Sequence, residues 1–180
     1  MAKTATSLND AHIKFILAQN MFFVGTAPLD PQGHVNVSPK GLDTFRILSP
    51  TSVAYLDLTG SGVETMAHLR ENGRIVVMFC AFLGPPNILR LHGRGRSVQP
   101  EVAEFTSLQT HFPVFAGSRS IVVVEISRVS DSCGYGVPLM RQKGERAQLQ
   151  AWANNKGPEG LQSYRQEKNR KSIDGLPGID

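Results

Sequence analysis

The chain has 180 residues, of which 41% are hydrophobic and 19% charged, which favours one globular domain with a sizeable core and excludes an intrinsically disordered chain. The formal net charge is +4, and segment 141–171, with eight basic and three acidic residues, suits a phosphorylated ligand, a nucleic acid or simple solubility.

No apolar run reaches the ~18 residues of a membrane helix and no signal-peptide core is present, so we expect a cytoplasmic protein without membrane contact. Cys80 and Cys133 are expected to be free thiols.

The first 60 residues predict one helix followed by four strands. Ser7 and Asp10 have the spacing of a capping box, and the apolar face that follows runs to Leu17, so a helix is expected within 1–20. The strands are predicted at 21–27, 34–39, 45–48 and 52–58.

The stretch 34–41, HVNVSPKG, ends the second of these strands. Its valines alternate with polar residues, as in a half-buried strand, and Pro39 is expected to end the hydrogen-bond ladder because it has no N–H. Lys40 and Gly41 then follow at a turn. Two interpretations stay open at this point: an anion-binding strand end, or a polar strand end with a solvated lysine.

The second part of the chain predicts three further strands, at 74–82, 87–98 and 118–132, and marginal helices. The loop TGSG at 59–62 precedes a helix at 64–71, and its amides suit a phosphate, although an ordinary strand-to-helix connection fits equally well. A helix is expected at 100–112 with Pro100 in its first turn, and two short helices at 145–152 and 158–168.

These elements indicate a mainly β protein, a small antiparallel β-barrel with peripheral helices. We expect a single domain over residues 1–180, with a helical extension at 133–180 packed on the barrel.

The five histidines lack metal-ligand spacing, so no metal site is expected. Arg90, His92, Arg94 and Arg96 alternate along one strand as a positive stripe or a solvated face, but a nucleic-acid partner is unlikely without interleaved aromatic residues.

Four segments occur in a familiar order: VNVSPKG, AYLDLTGSGVETMAHLRENGR, VVMFCAF and NILRLHGRG. Over residues 21–97 the chain resembles the FMN-binding split barrels of the pyridoxamine 5′-phosphate oxidase-like family. The later segments SCGYGVP and SIDGLPG resemble a bacterial subgroup of that family. The resemblance implies a Greek-key antiparallel split barrel and a homodimer with two FMN sites at the subunit interface.

The resemblance also assigns flavin contacts to the strand that ends at Lys40. Lys40 matches the family lysine that reaches the FMN phosphate, and Val37 and Ser38 match positions that lie along the flavin. Thr59 matches a polar position at the end of the next flavin strand. Val35 is a departure, because the oxidase has arginine there.

Two more departures concern the helix at 64–71 and the partner subunit. Glu64 and Thr65 stand where the oxidase has an Arg-Lys pair on the phosphate; Thr65 keeps a donor, whereas Glu64 repels phosphate unless it is turned away. Ile88 replaces a flavin-contacting glutamine supplied by the partner, so neighbouring Asn87 or Arg90 is expected to serve instead.

The resemblance implies an FMN-dependent oxidoreductase that acts on a small-molecule substrate, which the sequence leaves unidentified. Because the flavin carries the redox chemistry, no catalytic side chain is assigned. The alternative is a flavin- or haem-binding sensor or carrier without turnover. A deazaflavin in place of FMN also stays open.

Overall fold

An antiparallel sheet organises the chain, and the computed structural model describes residues 4–179 of it. The strands follow the spatial order β3-β2-β6-β7-β8-β5-β4, and β1 pairs with the far part of β8. The strands are β1 Thr4–Ala5, β2 Phe22–Thr26, β3 Asn36–Lys40, β4 Phe45–Ser49, β5 Ser52–Leu58, β6 Arg74–Cys80, β7 Ile88–Val98 and β8 Ser118–Ser132. The helices are α1 Asp10–Leu17, α2 Glu64–Asn72, α3 Ala103–Gln109 and α4 Gln148–Lys168.

The sheet curls into a barrel that stays open between its two terminal strands, β3 and β4. Aromatic side chains fill the gap: the Phe22 ring lies 5.1 Å from that of Phe45, and Phe45 lies 5.1 Å from Phe79. Buried valines and leucines of β5–β8 complete the interior. The predicted split barrel is therefore confirmed, and side chains rather than backbone pairing close it.

Helix α2 packs against β2, β6 and β7 of the barrel, within one residue of its predicted bounds. Met66 and Leu69 are buried, and Gly73 ends the helix in the left-handed conformation (φ 67°) that a residue without Cβ adopts freely. The opposite face of β5, β7 and β8 carries a second apolar cluster, which packs against α3 through Leu108 and Phe112.

Strand β3 differs from its prediction in two ways. Pro39 does not end the ladder, because it lies inside the strand opposite Phe23. β3 pairs only with β2, and an edge strand tolerates a residue that has no N–H to offer. The alternation is also inverted: Val35 and Val37 are 71% and 65% exposed, while Ser38 and Lys40 are partly buried beneath them.

Two helix boundaries also differ from the predictions. The capping box of α1 is formed by Asn9 and His12, which exchange hydrogen bonds, and Leu17 is exposed because the buried face ends one residue earlier. Helix α3 begins at Ala103, after Pro100 rather than around it. Residues 1–3 of the N-terminal segment lie outside the described residues.

The C-terminal extension packs along the barrel. The segment α4 begins at Gln148 and is interrupted at Gly157, whose φ of 64° and ψ of 176° are not helical, so two helical stretches lie on either side of it, as the sequence predicted. Ala153 and Leu161 are buried, and the Trp152 and Tyr164 rings meet across the kink at 5.0 Å.

Both cysteines are free, Cys80 buried and Cys133 exposed. Over residues 4–179 no helix has the length and apolar character needed to cross a membrane.

Gly93 provides a test of the barrel packing. A Cβ at this position would collide with the backbone carbonyl oxygen of Glu125 on β8. We expect Gly93→Ala to lower the free energy of unfolding by about 2 kcal/mol or more, because the backbone has to move. Gly136→Ala is the control, since its Cβ meets no atom within 4 Å, and it should change stability by less than ~0.5 kcal/mol. Urea unfolding followed by circular dichroism measures both, and equal effects would contradict this account.

Candidate functional site

A buried carboxylate lies at the open side of the barrel. Asp57 on β5 is 1% exposed and is held between two cations. Its Oδ1 accepts a hydrogen bond from Lys40 Nζ at 2.8 Å, and its Oδ2 accepts one from Arg119 Nε at 2.6 Å. Burial raises the pKa of Asp57, but the charges of Lys40 and Arg119 outweigh burial and hold that pKa at about 2. The carboxylate is therefore ionised, and it ties edge strand β3 to β5 across the gap.

Arg119 extends this arrangement to the loop before α2. Its Nη1 donates to the carbonyl oxygen of Gly62 at 2.8 Å and to Oδ1 of Asn169 at 2.9 Å. The Asn169 side chain in turn donates to the carbonyl oxygen of Gly60 at 2.9 Å. Loop 59–62, predicted to offer amides to a phosphate, is thus held through its carbonyl oxygens from inside the protein.

Thr59 belongs to the same interior. Its hydroxyl donates to the carbonyl oxygen of Gly117 at 2.8 Å and accepts from Arg165 Nε at 2.9 Å. The residue is 1% exposed, so the expected flavin contact of its side chain would require these bonds to break. Burial and the neighbouring Arg119 lower the pKa of Arg165.

A cluster of neutral donors lies between β3 and the start of α2. Asn36 Nδ2 is 3.0 Å from Thr65 Oγ1 and 3.2 Å from Ser38 Oγ. The structure therefore brings together two predicted site residues, Ser38 and Thr65, through Asn36, which the sequence analysis did not include. Val63 supplies no side-chain cap, so the first turn of α2 has no capping side chain.

A histidine lies buried on the same helix. His68 Nδ1 is 3.0 Å from Thr26 Oγ1, whereas its Nε2 is buried without a hydrogen-bond partner. Burial lowers the pKa of His68, and the carboxylates of Asp174, Glu64 and Glu71 partly offset that effect.

Glu64 is turned toward the C-terminal tail. Its Oε1 lies 3.3 Å from the backbone N–H of Ile173. The adjacent Asp174 accepts hydrogen bonds from the His34 backbone N–H at 2.8 Å and pairs with the His34 ring at 2.6 Å. Segment 171–178 is a tight loop closed by its own backbone bonds; its Ile173 N–H binds the Glu64 carboxylate, and its own Asp174 carboxylate is bound by His34.

Lys40 does not join that cluster. Asn36 and Lys40 are four residues apart on β3, which at ~3.3 Å per residue separates their Cα atoms by about 13 Å. The Lys40 ammonium is directed to Asp57, also 5.7 Å from the Tyr55 ring centre. The expected contact of Lys40 with the FMN phosphate therefore competes with its bond to Asp57, and for both Lys40 and Thr65 that contact stays a prediction.

Asn87, just before β7, and Arg90, on β7, lie in the middle of the sheet path, beside the end of β8. Asn87 Nδ2 is 3.3 Å from Asp131 Oδ1, and Arg90 Nη1 is 2.8 Å from Ser132 Oγ. Within one chain they do not meet the cluster of Asn36, Ser38 and Thr65. Arg96 belongs to the positive stripe on β7. Its two Nη atoms donate to the two carboxylate oxygens of Glu104, at 2.7 and 2.6 Å.

Sequence reasoning missed the residues that build the interior, Asp57, Arg119, Arg165 and Asn169. They are far apart in the chain and lie in no motif; the one signal was Asp57, a charge inside the apolar strand SVAYLDL. Across residues 4–179, no group of three or more His, Cys, Asp or Glu side chains is placed to hold a metal ion.

The comparisons agree with this architecture. Residues 8–133 match the family model described as pyridoxamine 5′-phosphate oxidase, and the chain belongs to this family. It is 38% identical, over 192 residues, to the pyridoxamine 5′-phosphate oxidase family protein ustO of Aspergillus flavus, an alignment that covers 96% of this chain and 76% of that protein.

Two solved structures share the fold at low sequence identity. HupZ of Group A Streptococcus is 18% identical, with a TM-score of 0.52, and the match covers 68% of this chain and 92% of HupZ. An FAD-binding protein of Mesorhizobium loti is 14% identical, with a TM-score of 0.50, and the match covers 73% of this chain and 96% of that one. Both matches leave part of this chain unaligned.

Asp57→Asn tests the ionic closure of the barrel. The substitution leaves Lys40 and Arg119 without their shared anion, so we expect a loss of about 3–5 kcal/mol in the free energy of unfolding at neutral pH. Because folding lowers the pKa of Asp57 from 3.8 to about 2, its contribution is complete above pH ~4 and disappears as the pH falls through ~2. The difference in free energy of unfolding between wild type and variant should shrink over that pH interval, as urea titrations would measure.

Asp43→Asn is the control. It removes an exposed partner of Arg46 and should lower the free energy of unfolding by less than ~1 kcal/mol; a similar loss for both variants would contradict the role of Asp57.

Proposed function

We propose that the protein is a flavin-dependent oxidoreductase that binds FMN along β3 and acts on a small-molecule substrate. The observation that carries the proposal is the cluster of Asn36, Ser38 and Thr65, which places neutral donors beside the uncapped start of α2 in a chain of this family. Likeness in fold to an FAD-binding protein supports a flavin as the ligand.

The donor set suits a phosphate group. The first-turn N–H groups of α2 and the Thr65 hydroxyl would donate, while Asn36, whose amide donates to Thr65 and Ser38, orients that hydroxyl, and the helix N-terminus adds a partial positive charge. Glu64 and Asp174 would oppose a phosphate, but the Ile173 N–H and His34 bind these carboxylates on the tail side. The donors therefore fit a flavin phosphate without a dedicated cation.

The remaining parts of β3 suit the flavin ring. The strand has one β-sheet neighbour, so its outer edge is open to polar groups of a ligand, and Val37 offers an apolar surface beside it. When bound, the flavin supplies electron and hydride transfer. Asn36, Ser38 and Thr65 would hold its phosphate, Val37 would contact its ring, and Lys40 lies further along the same strand.

We also propose that the working form is a homodimer. Val35 and Val37 form an exposed apolar strip on an edge strand, a feature that a second copy would cover. In such an assembly Asn87 and Arg90 of the second copy, which are remote from the donor cluster within one chain, would complete the site. Light scattering of the flavin-loaded protein should therefore give about twice the 19.6 kDa chain mass, and a monomer with full flavin affinity would exclude a shared site.

Thr65→Val tests the phosphate site directly. The change keeps the shape of the side chain but removes its hydroxyl, so FMN affinity should fall by about tenfold, the value of one charge-assisted hydrogen bond. Riboflavin, which has no phosphate, should bind wild type and variant equally. Thr110→Val at the end of α3 is the control and should alter neither affinity. Calorimetric titration of the three apo-proteins measures all six dissociation constants; equal losses for both ligands would mean that Thr65 supports the pocket without contacting phosphate.

Turnover needs a separate measurement. The protein with bound flavin should be reduced by a nicotinamide cofactor and reoxidised by a substrate, as followed by the flavin absorbance. A flavin that binds tightly but is neither reduced nor reoxidised would identify a carrier instead.

A further inference from the structure

A groove of about 840 Å³ opens at the Lys40 end of β3. Four segments form its walls: residues 18–21, which follow α1; residues 39–42 at the end of β3; residues 82–84, which follow β6; and residues 140–149 of the C-terminal extension. A volume of this size accommodates a drug-sized molecule. Asn36, Ser38 and Thr65 do not line the groove, so it is separate from the proposed phosphate site.

Most of the wall is apolar. The side chains that give it this character are Met21, Pro39, Leu42, Leu83, Met140 and Leu149. Leu83 and Met140 are exposed in the free protein, which leaves apolar surface uncovered on both sides of the groove. Such walls favour a ligand with an apolar body.

The groove also carries an excess of positive charge, since its lining holds two arginines, in addition to the Asp57-bound Lys40, against one glutamate. Arg141 and Arg146 both line it, and within the described part of the chain neither has an ion-pair partner. The one carboxylate in the lining, Glu145, accepts a hydrogen bond from Gln142 Nε2 at 2.6 Å. Two guanidinium groups beside an apolar wall favour a ligand whose apolar body ends in an anionic group.

Backbone strain lies in the same wall. Leu42 has a φ of 61°, and among residues 4–179 it is the one non-glycine residue in the left-handed region. The turn that holds it is closed by the Thr44 hydroxyl, which donates to the Gly41 carbonyl oxygen at 2.8 Å. A leucine that is kept in this costly conformation and lines a groove is a feature of binding sites.

We propose that this groove binds a small amphipathic organic anion: Arg141 and Arg146 bind its carboxylate or sulfonate, and the wall around Leu42 and Leu149 binds its apolar body. The proposal goes beyond flavin binding and does not depend on it. If the flavin proposal also holds, the groove lies at the end of β3 that is remote from the phosphate donors, where a substrate would enter.

The test uses two probes that differ in charge alone. 8-Anilinonaphthalene-1-sulfonate is an apolar anion, and N-phenyl-1-naphthylamine has the same rings without the sulfonate. Calorimetric titration of the full-length protein should show one saturable site for the sulfonate. The double variant Arg141→Gln, Arg146→Gln should weaken sulfonate binding by about tenfold and leave the uncharged probe unchanged. Lys143→Gln is the control, because it removes a charge from the same segment but does not line the groove, and it should change affinity by less than about twofold.

A second pair of variants locates the apolar body. Leu149→Ser, in the groove, should weaken both probes by about tenfold, whereas Leu139→Ser, an exposed residue outside the lining, should weaken neither. The proposal is overturned if the sulfonate does not saturate one site, if Lys143→Gln matches the double arginine variant, or if the leucine pair has equal effects. Flavin content, read from absorbance in each sample, keeps the two proposals apart: loss of flavin with intact probe binding would count against the flavin proposal alone.

Discussion

The charge of Asp57 is the constraint on which the rest of the structure depends. A carboxylate that is buried this deeply costs several kcal/mol unless cations accompany it, and here Lys40 and Arg119 approach it from opposite sides. Lys40 belongs to the edge strand β3, and Arg119 binds both the loop before α2 and Asn169 of the C-terminal extension. One ionised side chain therefore holds together the open side of the barrel, the entry to α2 and the end of the chain.

This arrangement divides β3 into two chemically different ends. At Asn36 the strand faces the start of α2 and offers neutral donors. At Lys40 it borders a groove in which apolar side chains meet two arginines. The ammonium of Lys40 donates its hydrogen bond to Asp57, so its main contribution is to hold β3 in place between these two ends. A ligand along β3 thus meets a hydrogen-bonding region first and a cationic, apolar region about 13 Å further along.

The chain also departs from its family in where its cations lie. The resemblance predicts arginines and a lysine around a phosphate, and by the same resemblance Val35, Glu64 and Thr65 occupy those positions here. Arg165, Arg141 and Arg146 come instead from the region that follows residue 133, beyond the part that matches the family model. The C-terminal extension therefore supplies side chains both to the interior beside Thr59 and to the groove at the end of β3.

The sequence by itself determined the elements whose cause is local. Apolar, β-branched runs bounded by turn residues placed β5 and β8 at their observed bounds, and helix α2 ends one residue beyond its predicted end, because strand propensity and helix termination depend mainly on neighbouring residues. Tertiary structure decided the rest. Which face of β3 points outward depends on α2 and on Asp57, not on the hydrophobicity of Val35 and Val37, and so the alternation was interpreted the wrong way round. The partners of Asp57 are 17 and 62 residues away, and charges at such separations meet only when the sheet has curled and the chain has folded back over it.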